Sequence, residues 1–431
     1  MAWPVVIKPS GGLPVTVAAN GRGTPMTLAT NGYGIAVTFA ANALPVVGIT
    51  NDPFTLFTYD VNFVAGTAKG VTQPYGNNTN DGRAFRDPNN VNVTYVPNAA
   101  GLLVVQASAG LRRTDKGHIQ YPGGTVRNLW NRDLTNVAWV ATNVTPLKNQ
   151  TGADGAANVA SSITATAING TILQTITLAS STVLFSVDVK RLVGSGTLEM
   201  TVDGGTTWTA ITTTAAYVQK FIVQAAVTNP ILGFRIGTSG DSFAVDFASI
   251  VNPANAGINI PSQYRAITSG ATILCAQSRP SADIADAGPL IGVARGAFAF
   301  YWQGRSERAT GAFVITGATN VFCSVLATGA GGAVKFSNGP GTSQTADSIW
   351  RTGLGLVNKV AGYCTAAGVV KVAANGVLGS TGSGGTLETA LDHFDLGTNG
   401  AGANSIYGLN ERIAMGPNLT FTDAQLIAMT T

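Results

Sequence analysis

The sequence predicts an all-β protein built of sandwiches, and three observations carry that expectation. The 431 residues include 53 glycines but are only 11% charged and 8% aromatic. β-Branched side chains, here many Val and Thr, suit a pleated surface, while Gly and Asn supply the turns between short strands. Apolar and polar residues alternate with a period of two in stretches such as "TVLFSVDVKRL", whereas long runs at helical spacing are almost absent. The chain is too long for one ordinary core, so roughly two to four domains are expected.

The first element is a repeat. "GLPVTVAANGRGTPMTLATNGYGIAVTFAANALPVV" says nearly the same thing three times, with Asn20, Asn31 and Asn42 spaced by eleven residues. Pro14 and Pro25 mark a second position, which Ala36 takes in the third copy. Each copy offers about five alternating residues, roughly 16 Å of strand. Asn20-Gly21 and Asn31-Gly32 are favoured pairs for tight β-turns. Three such units bury little apolar surface alone, so residues 1–50 read as a mount that leans on sister chains or on a larger body. Neutral, Thr-rich strands with open edges associate unless paired, which predicts a homo-oligomer, with a trimer favoured.

Residues 51–124 form an irregular linker module around the polar stretch "PYGNNTNDGRAFRDPNN". A hairpin is expected there, with strands Val91 to Val96 and Leu102 to Gln106 on either side of an Asn-Ala-Ala-Gly turn. Residues 125–254 are the most regular. "ILQTITLA", "TVLFSVDVKRL", "TLEMTVDGGTTWTAI", "YVQKFIVQAAV", "ILGFRIGTSG" and "SFAVDFASIV" are separated by turn residues at sandwich spacing, as in a self-contained jelly roll. Val187, Val189 and Leu192 are expected to point inward, and Asp188, Lys190 and Arg191 outward. Asp203-Gly204-Gly205 makes a tight turn ahead of Trp208. Residues 255–431 again show short strands and close on "NLTFTDAQLIAMTT". There Thr422 and Gln425 fit a capping box, and Leu426, Ile427 and Met429 give the short helix one apolar face.

Charge and composition exclude several functions. The net charge is +4, but Arg112, Arg113 and Lys116 are the only tight basic group. A nucleic-acid groove needs a denser basic stripe with interleaved aromatics, so no nucleic-acid partner is expected. "MAWPVVIKPSGG" does not read as a secretory signal, having no basic start ahead of its apolar stretch and Pro4 and Pro9 to break it. The uncharged stretch Gly155 to Val187 alternates like strands rather than a membrane-spanning helix. No membrane insertion is expected. Cys275, Cys323 and Cys364 are odd in number and far apart, and read as buried free thiols. With His118 and His393 the only histidines, zinc-ligand spacing is absent. No metal or cofactor is expected; the carboxylates Glu388, Asp392 and Asp395 could hold Ca²⁺, but no EF-hand-type loop supports such a site.

Catalysis needs converging reactive groups. Neither histidine lies in a recognisable nucleophile context. Glycoside cleavage needs two carboxylates about 5 to 10 Å apart. Asp392 and Asp395, with Glu388 nearby, lie on or beside a predicted strand, where residues three apart face opposite sides of the sheet. These carboxylates read as structural, no catalytic residue is assigned, and no enzyme activity is expected.

The regions after residue 51, taken in order, resemble the spike and fibre proteins of tailed phages and phage-like particles. "VTYVPNAAGLLVVQASAGLRR" is similar to a short module that precedes carbohydrate-binding domains in that family. "RNLWNRDLTNVAWVATNVT", "INGTILQTITLASSTVLFSVDVKR" and "SGTLEMTVDGGTTWTAI" resemble its carbohydrate-binding-module-like jelly roll. "DHFDLGTNGAGANSIYGLNERIAMGPNLTFTDAQLIAM" resembles the end of a concanavalin A/laminin G-like domain, with Phe421 to Leu426 matching its helix start. Met415-Gly416-Pro417 departs from the pattern, standing where a bulky aromatic is common.

The resemblance implies a non-enzymatic spike or fibre on the virion surface, assembled in the host cytoplasm. Pro14, Asn20, Pro25, Asn31 and Asn42 would anchor it to a capsid or tail protein, and the sandwiches would bind bacterial surface polysaccharide. A structural decoration protein and a polysaccharide depolymerase are the alternatives. A sugar presents apolar C–H faces bordered by hydroxyls, so an exposed aromatic plate beside amide, Arg or carboxylate groups suits it. The candidates are Trp139 and Trp208 with Arg235 in residues 125–254. In residues 255–431 they are Tyr301, Trp302, Arg305 and Trp350.

Overall fold

The computed structural model describes residues 53–69, 94–97, 103–106, 113–114, 116–120, 124–253, 266–267, 273–275, 281–283, 298–306, 314–316, 321–328, 333–338, 343–346, 350–352, 355–379, 393–396, 408–417 and 419–431. The repeat, with Pro14, Asn20, Pro25, Asn31 and Asn42, lies outside the described residues, as do Glu388 and Asp392. The chain divides into two compact units, Met1–Thr55 and Leu56–Thr431. The second unit is all-β, its sheets antiparallel.

Two facing sheets form the first sandwich. The larger runs in the order Val218–Val227, Ser181–Val193, Ser242–Pro253, Ala160–Ala165 and Val144–Gln150. Gly124–Val126 pairs with the end of Ser242–Pro253, and Ile273–Cys275 pairs with Gly124–Val126. The smaller runs Thr209–Ile211, Leu198–Thr201, Ile231–Ile236, Gly170–Thr175 and Val140–Thr142. Consecutive strands cross between sheets, as Ala160–Ala165 and Gly170–Thr175 do. Between the sheets lie Val183, Phe185, Val187, Val189, Phe243, Val245 and Ile250 from the larger, and Ile172, Leu198, Met200, Leu232, Phe234 and Ile236 from the smaller. Each such side chain contributes about 1.5–3 kcal/mol by leaving water. The alternation that announced the strands thus became one shared core.

The long strand Ser181–Val193 keeps a period of two, with Val183, Phe185, Val187 and Val189 all turned to the core. Its pairing with Ser242–Pro253 shifts between Ser186 and Asp188 and again between Arg191 and Val193. Val187 and Val189 are buried as expected, but Leu192 is 36% exposed. Arg191, expected to point outward, lies over the Phe243 ring at 4.5 Å. Strict alternation from Val187 and Val189 already turns Arg191 to the core side, opposite its cross-strand partner Phe243, and Leu192 away from it, and that corrects both residues.

Two further large sheets and a two-stranded hairpin follow among the described residues. One contains, in order, Thr67–Lys69, Tyr59–Asn62, Gly408–Pro417, Phe298–Ser306, Asn358–Cys364, Val370–Ala374 and Val377–Leu378. Arg113–Thr114 and Gly117–Ile119 join it through Gly408–Pro417. Residues read as a linker thus supply strands to this sheet, and Arg412 clasps Asp60 with hydrogen bonds of 2.9 and 2.6 Å. The expected hairpin is present as Thr94–Pro97 paired with Leu103–Gln106. The other sheet runs Ser281–Asp283, His393–Asp395, Val314–Thr316, Val321–Thr328, Ala333–Asn338 and Ser343–Ala346. Met415 occupies a fully buried place between Tyr59 and Phe300, so an apolar thioether fills the position where the family resemblance predicts an aromatic. The helix Asp423–Thr430 starts with the predicted capping box: Thr422 Oγ1 accepts from Gln425 N, and Gln425 Oε1 accepts from Thr422 N. Leu426 and Met429 are buried, while Ile427 remains 37% exposed. Cys364 is buried and forms no disulfide among the described residues. The side chains of Cys275 and Cys323 lie outside the described residues.

Candidate functional site

Most of the predicted aromatic plates are core. Trp139 is 4% exposed, and its Nε1 donates to the Trp130 carbonyl at 3.1 Å. Trp302 is also buried, donates from Nε1 to Asn410 Oδ1 at 2.9 Å, and stacks on buried Trp350 at 5.5 Å between centroids. Tyr301 is buried with its hydroxyl donating to Gln303 Oε1 at 2.7 Å. Burial raises the Tyr301 pKa above the ordinary phenol range. Arg305 is half-buried and donates to Glu411 Oε1 at 2.6 Å, and Gln303 donates to Glu411 Oε2 at 2.5 Å. Large rings fill a sandwich interior efficiently and their single polar handle needs only one partner there. Trp139, Tyr301, Trp302 and Trp350 are therefore corrected from ligand plates to packing residues.

Trp208 and Arg235 behave differently. Both lie on the outward face of the smaller sheet of the first sandwich, where strand alternation places every second residue. The Arg235 guanidinium lies over the Trp208 ring at 4.7 Å. Its Nε donates to Glu199 Oε2 at 2.5 Å, and this bond raises the Arg235 pKa above its ordinary value. Glu199 faces Arg235 directly across the pairing of Leu198–Thr201 with Ile231–Ile236. Sequence reasoning missed Glu199. The available signal was that Glu199 and Arg235 are the lone charges in two otherwise uncharged strands.

Local structure holds Trp208 in place. The Asp203-Gly204-Gly205 turn is tied by Thr201 Oγ1 donating to Asp203 Oδ1 at 2.8 Å and by Thr207 N donating to the same oxygen at 2.9 Å. Gly205 N donates to Thr201 Oγ1 at 3.0 Å. Gly205 has φ +89, and a Cβ there would come within 2.8 Å of the indole. Only glycine suits both the left-handed backbone and the close approach. The indole is thus half-buried, with Gly205 against it and Arg235 over it. Trp208 is not the bare plate that was expected. It backs a fixed guanidinium.

Across the face, register arranges two rows. One runs Thr142, Thr171, Arg235, Glu199 and Ala210; the other runs Val140, Leu173, Gly233 and Thr201, and leads to Trp208. Val140 is 65% exposed, and Leu173 is half-buried beside the bare backbone of Gly233. A polar row therefore lies beside an apolar one. Adjacent strands are about 4.8 Å apart, so each row is long enough for an extended ligand. Among the described residues no hydrogen bond engages Nη1 or Nη2 of Arg235, or Oε1 of Glu199.

The outward face of the larger sheet holds more charge but less access. Arg132 donates from Nε and Nη2 to both oxygens of Asp246, at 2.7 and 3.0 Å, and from Nη1 and Nη2 to both oxygens of Asp154, at 2.9 Å each. Burial opposes charge on Arg132, yet the hydrogen bonds to Asp154 and Asp246 outweigh it and raise its pKa. Burial likewise opposes ionisation of Asp154, and the Arg132 bond overcomes it, holding the carboxyl below its usual range. Leu103 covers this face, packing with Phe247 and Ala153, and Leu103 N donates to the Ala153 carbonyl at 2.8 Å. Ile267 N donates to Asn131 Oδ1 at 2.8 Å from the other flank. Among the described residues no group of three or more His, Cys, Asp or Glu is placed to hold a metal ion.

No family model and no curated protein matches the chain. Among solved structures, the chain is similar to the CBM22-1–GH10 modules of Clostridium thermocellum endo-1,4-β-D-xylanase 10B complexed with xylohexaose, at 13% identity and a TM-score of 0.25. That match covers 32% of this chain and 30% of the other, less than a third of the relative's length. The CBM22-1 xylan-binding domain from Paenibacillus barcinonensis Xyn10C matches at 16% identity and a TM-score of 0.25, over 32% of this chain and 99% of that one. Domain 4 of AbnA, a GH43 extracellular arabinanase from Geobacillus stearothermophilus in complex with arabinotriose, matches at 19% identity and a TM-score of 0.27, over 36% and 73%. Scores of this size carry no functional inference. The all-β sandwich stands on the strand order and on the core between its sheets.

Proposed function

We propose that this chain is a non-enzymatic polysaccharide-binding spike or fibre protein on the surface of a phage or phage-like particle. The glycan lies on the outward face of the smaller sheet, and the repeats of residues 1–50 attach the protein to the capsid or tail, with a homotrimer as the assembled form. One observation carries the binding half: Trp208, Arg235 and Glu199 meet on a sheet face that no other described element covers, with hydrogen-bonding groups of Arg235 and Glu199 turned to no other described residue. A guanidinium offers a planar fork of donors and a carboxylate only acceptors. Together they complement hydroxyl groups, which both donate and accept. The virion half rests on the sequence resemblance.

The test is a glycan array and a host-surface pull-down with the full chain, alongside an Arg235→Ala variant. Retention of wild type and loss of the variant supports the reading. Failure of wild type on every glycan and every host surface removes adhesion and leaves a structural decoration protein. Release of reducing ends from a bound polysaccharide would make it a depolymerase.

A further inference from the structure

We infer that the site takes a neutral polysaccharide through adjacent hydroxyl groups of one sugar, and discriminates against uronate-bearing or otherwise anionic chains; this rests on the reading above. The outward positions of the smaller sheet carry one charge of each sign, Glu199 and Arg235, and these already neutralise each other at 2.5 Å. The charge in the turn at the edge of this face, where Gln224 of the larger sheet donates to Asp203 Oδ2, is also negative. Asp203 sits in the turn before Trp208; burial opposes its ionisation, but hydrogen bonds from Thr207 and Thr201 prevail and lower its pKa. An anionic glycan would meet a guanidinium already paired with a carboxylate, and a second carboxylate beyond it. A neutral diol meets complementary groups instead: one hydroxyl donates to Glu199 Oε1 while its neighbour accepts from an Arg235 Nη. The indole beneath it and the bond to Glu199 hold the guanidinium in place, so little side-chain freedom is lost on binding. The row of Val140 and Leu173 lies where the C–H face of the same chain would rest.

Affinity electrophoresis of the full chain in gels containing dextran, galactomannan, polygalacturonate or hyaluronan tests this. A neutral polymer should retard wild type, with an affinity that changes less than about twofold between low and high salt, since no net charge is neutralised. Glu199→Gln, checked for an unchanged unfolding midpoint, should weaken retardation by about tenfold, the effect of losing one charge-assisted hydrogen bond. Preferential retardation by the acidic polymers, lost at high salt, overturns the neutral-diol inference while polysaccharide binding stands. Unchanged retardation of Glu199→Gln overturns the role of the carboxylate. Retardation by none of the polymers overturns the inference for these glycans, and the array and host pull-down decide whether adhesion itself stands.

A separate observation points to a modification site. Two Asn-Gly turns are described, and both asparagines adopt left-handed backbone, Asn169 at φ 57 and Asn375 at φ 47. The Asn375 carboxamide is held on both sides: Oδ1 accepts from Lys359 N at 2.9 Å and Nδ2 donates to Asn358 Oδ1 at 3.0 Å. Asn169 is exposed, and among the described residues no hydrogen bond holds its carboxamide. Its neighbour must remain glycine, because a Cβ on Gly170 would lie 2.3 Å from the Asn143 carbonyl oxygen. The turn that links the two sheets therefore preserves a labile pair. We propose that Asn169 deamidates selectively. The Gly170 nitrogen attacks Asn169 Cγ, that new bond closes a cyclic imide, and the amide nitrogen leaves as ammonia with the proton from Gly170. Water then opens the imide to Asp or isoAsp.

Peptide mapping by mass spectrometry after mildly alkaline incubation should show Asn169 converting at least about tenfold faster than Asn375, the effect of two restraining hydrogen bonds. Equal rates, or faster conversion at Asn375, overturn the assignment. An Asn358→Ala variant, which removes the acceptor of Asn375 Nδ2 and the bridge to Arg351 but touches nothing at Asn169, should narrow the difference.

Discussion

The two outward faces of the first sandwich make an instructive pair. Both consist of the alternate residues that strand geometry turns away from the core, and in sequence both read as polar faces meant for solvent. On the larger sheet Ser186, Asp188, Asp246 and Ser249 are all buried, beneath Leu103 and the segment around Ala153. On the smaller sheet Val140, Thr142 and Thr175 remain exposed, and Glu199 and Arg235 keep contact with water. The first face has become an interior junction held by a guanidinium between two carboxylates. The second offers an ion pair to solvent. Pointing outward from a sheet is therefore not the same as lying on the surface, and a binding residue has to satisfy both conditions.

The contrast is broken most directly at Arg132. Arg132→Met strands the fully buried Asp246 carboxylate and should cost about 3–5 kcal/mol, read from urea unfolding. A loss below about 1 kcal/mol would mean the covered face is not locked by this triad. Arg235→Ala should do the reverse. The Arg235–Glu199 pair is half-buried but still in contact with water, so its loss should cost about 1 kcal/mol. The unfolding curve should therefore shift little, while polysaccharide retention falls by about tenfold or more. If stability collapsed instead, the open face would be structural.

Acid sharpens the comparison further. The Asp154, Asp133 and Asp203 carboxyls are all held below their ordinary value of 3.8, against the opposing effect of burial. A depressed folded-state pKa gives stability that is fully present above the unfolded value and drains as pH falls through the folded one. Thermal midpoints should therefore be flat with respect to these groups above about pH 5 and fall below pH 3.8, more gently in Arg132→Met, where Asp154 has lost its partner. The smallest effect is expected at Lys148→Ala. Its 3.2 Å bridge to Asp133 is partly exposed, and its loss should cost no more than about 0.5 kcal/mol.

Much of the fold was legible from residue order. The strands of residues 125–254, the Asp203-Gly204-Gly205 turn and the Thr422–Gln425 cap all depend on neighbours within a few positions. Site residues were legible only in part. Arg235 was placed beside Trp208 correctly, but Glu199 was overlooked, and Trp139, Trp302 and Trp350 turned out to be packing. A tryptophan has the same local pattern whether its strand faces core or solvent.

Sequence alone determined the period-two alternation, the turns and the cap, because backbone sterics and hydrogen bonding act over a few residues. Tertiary structure alone decided which faces are covered and which charges meet. Arg132 finds Asp246 across 114 positions, and Arg235 finds Glu199 across 36. Contacts of that kind follow from strand order, register and bulges, which no short stretch of sequence contains.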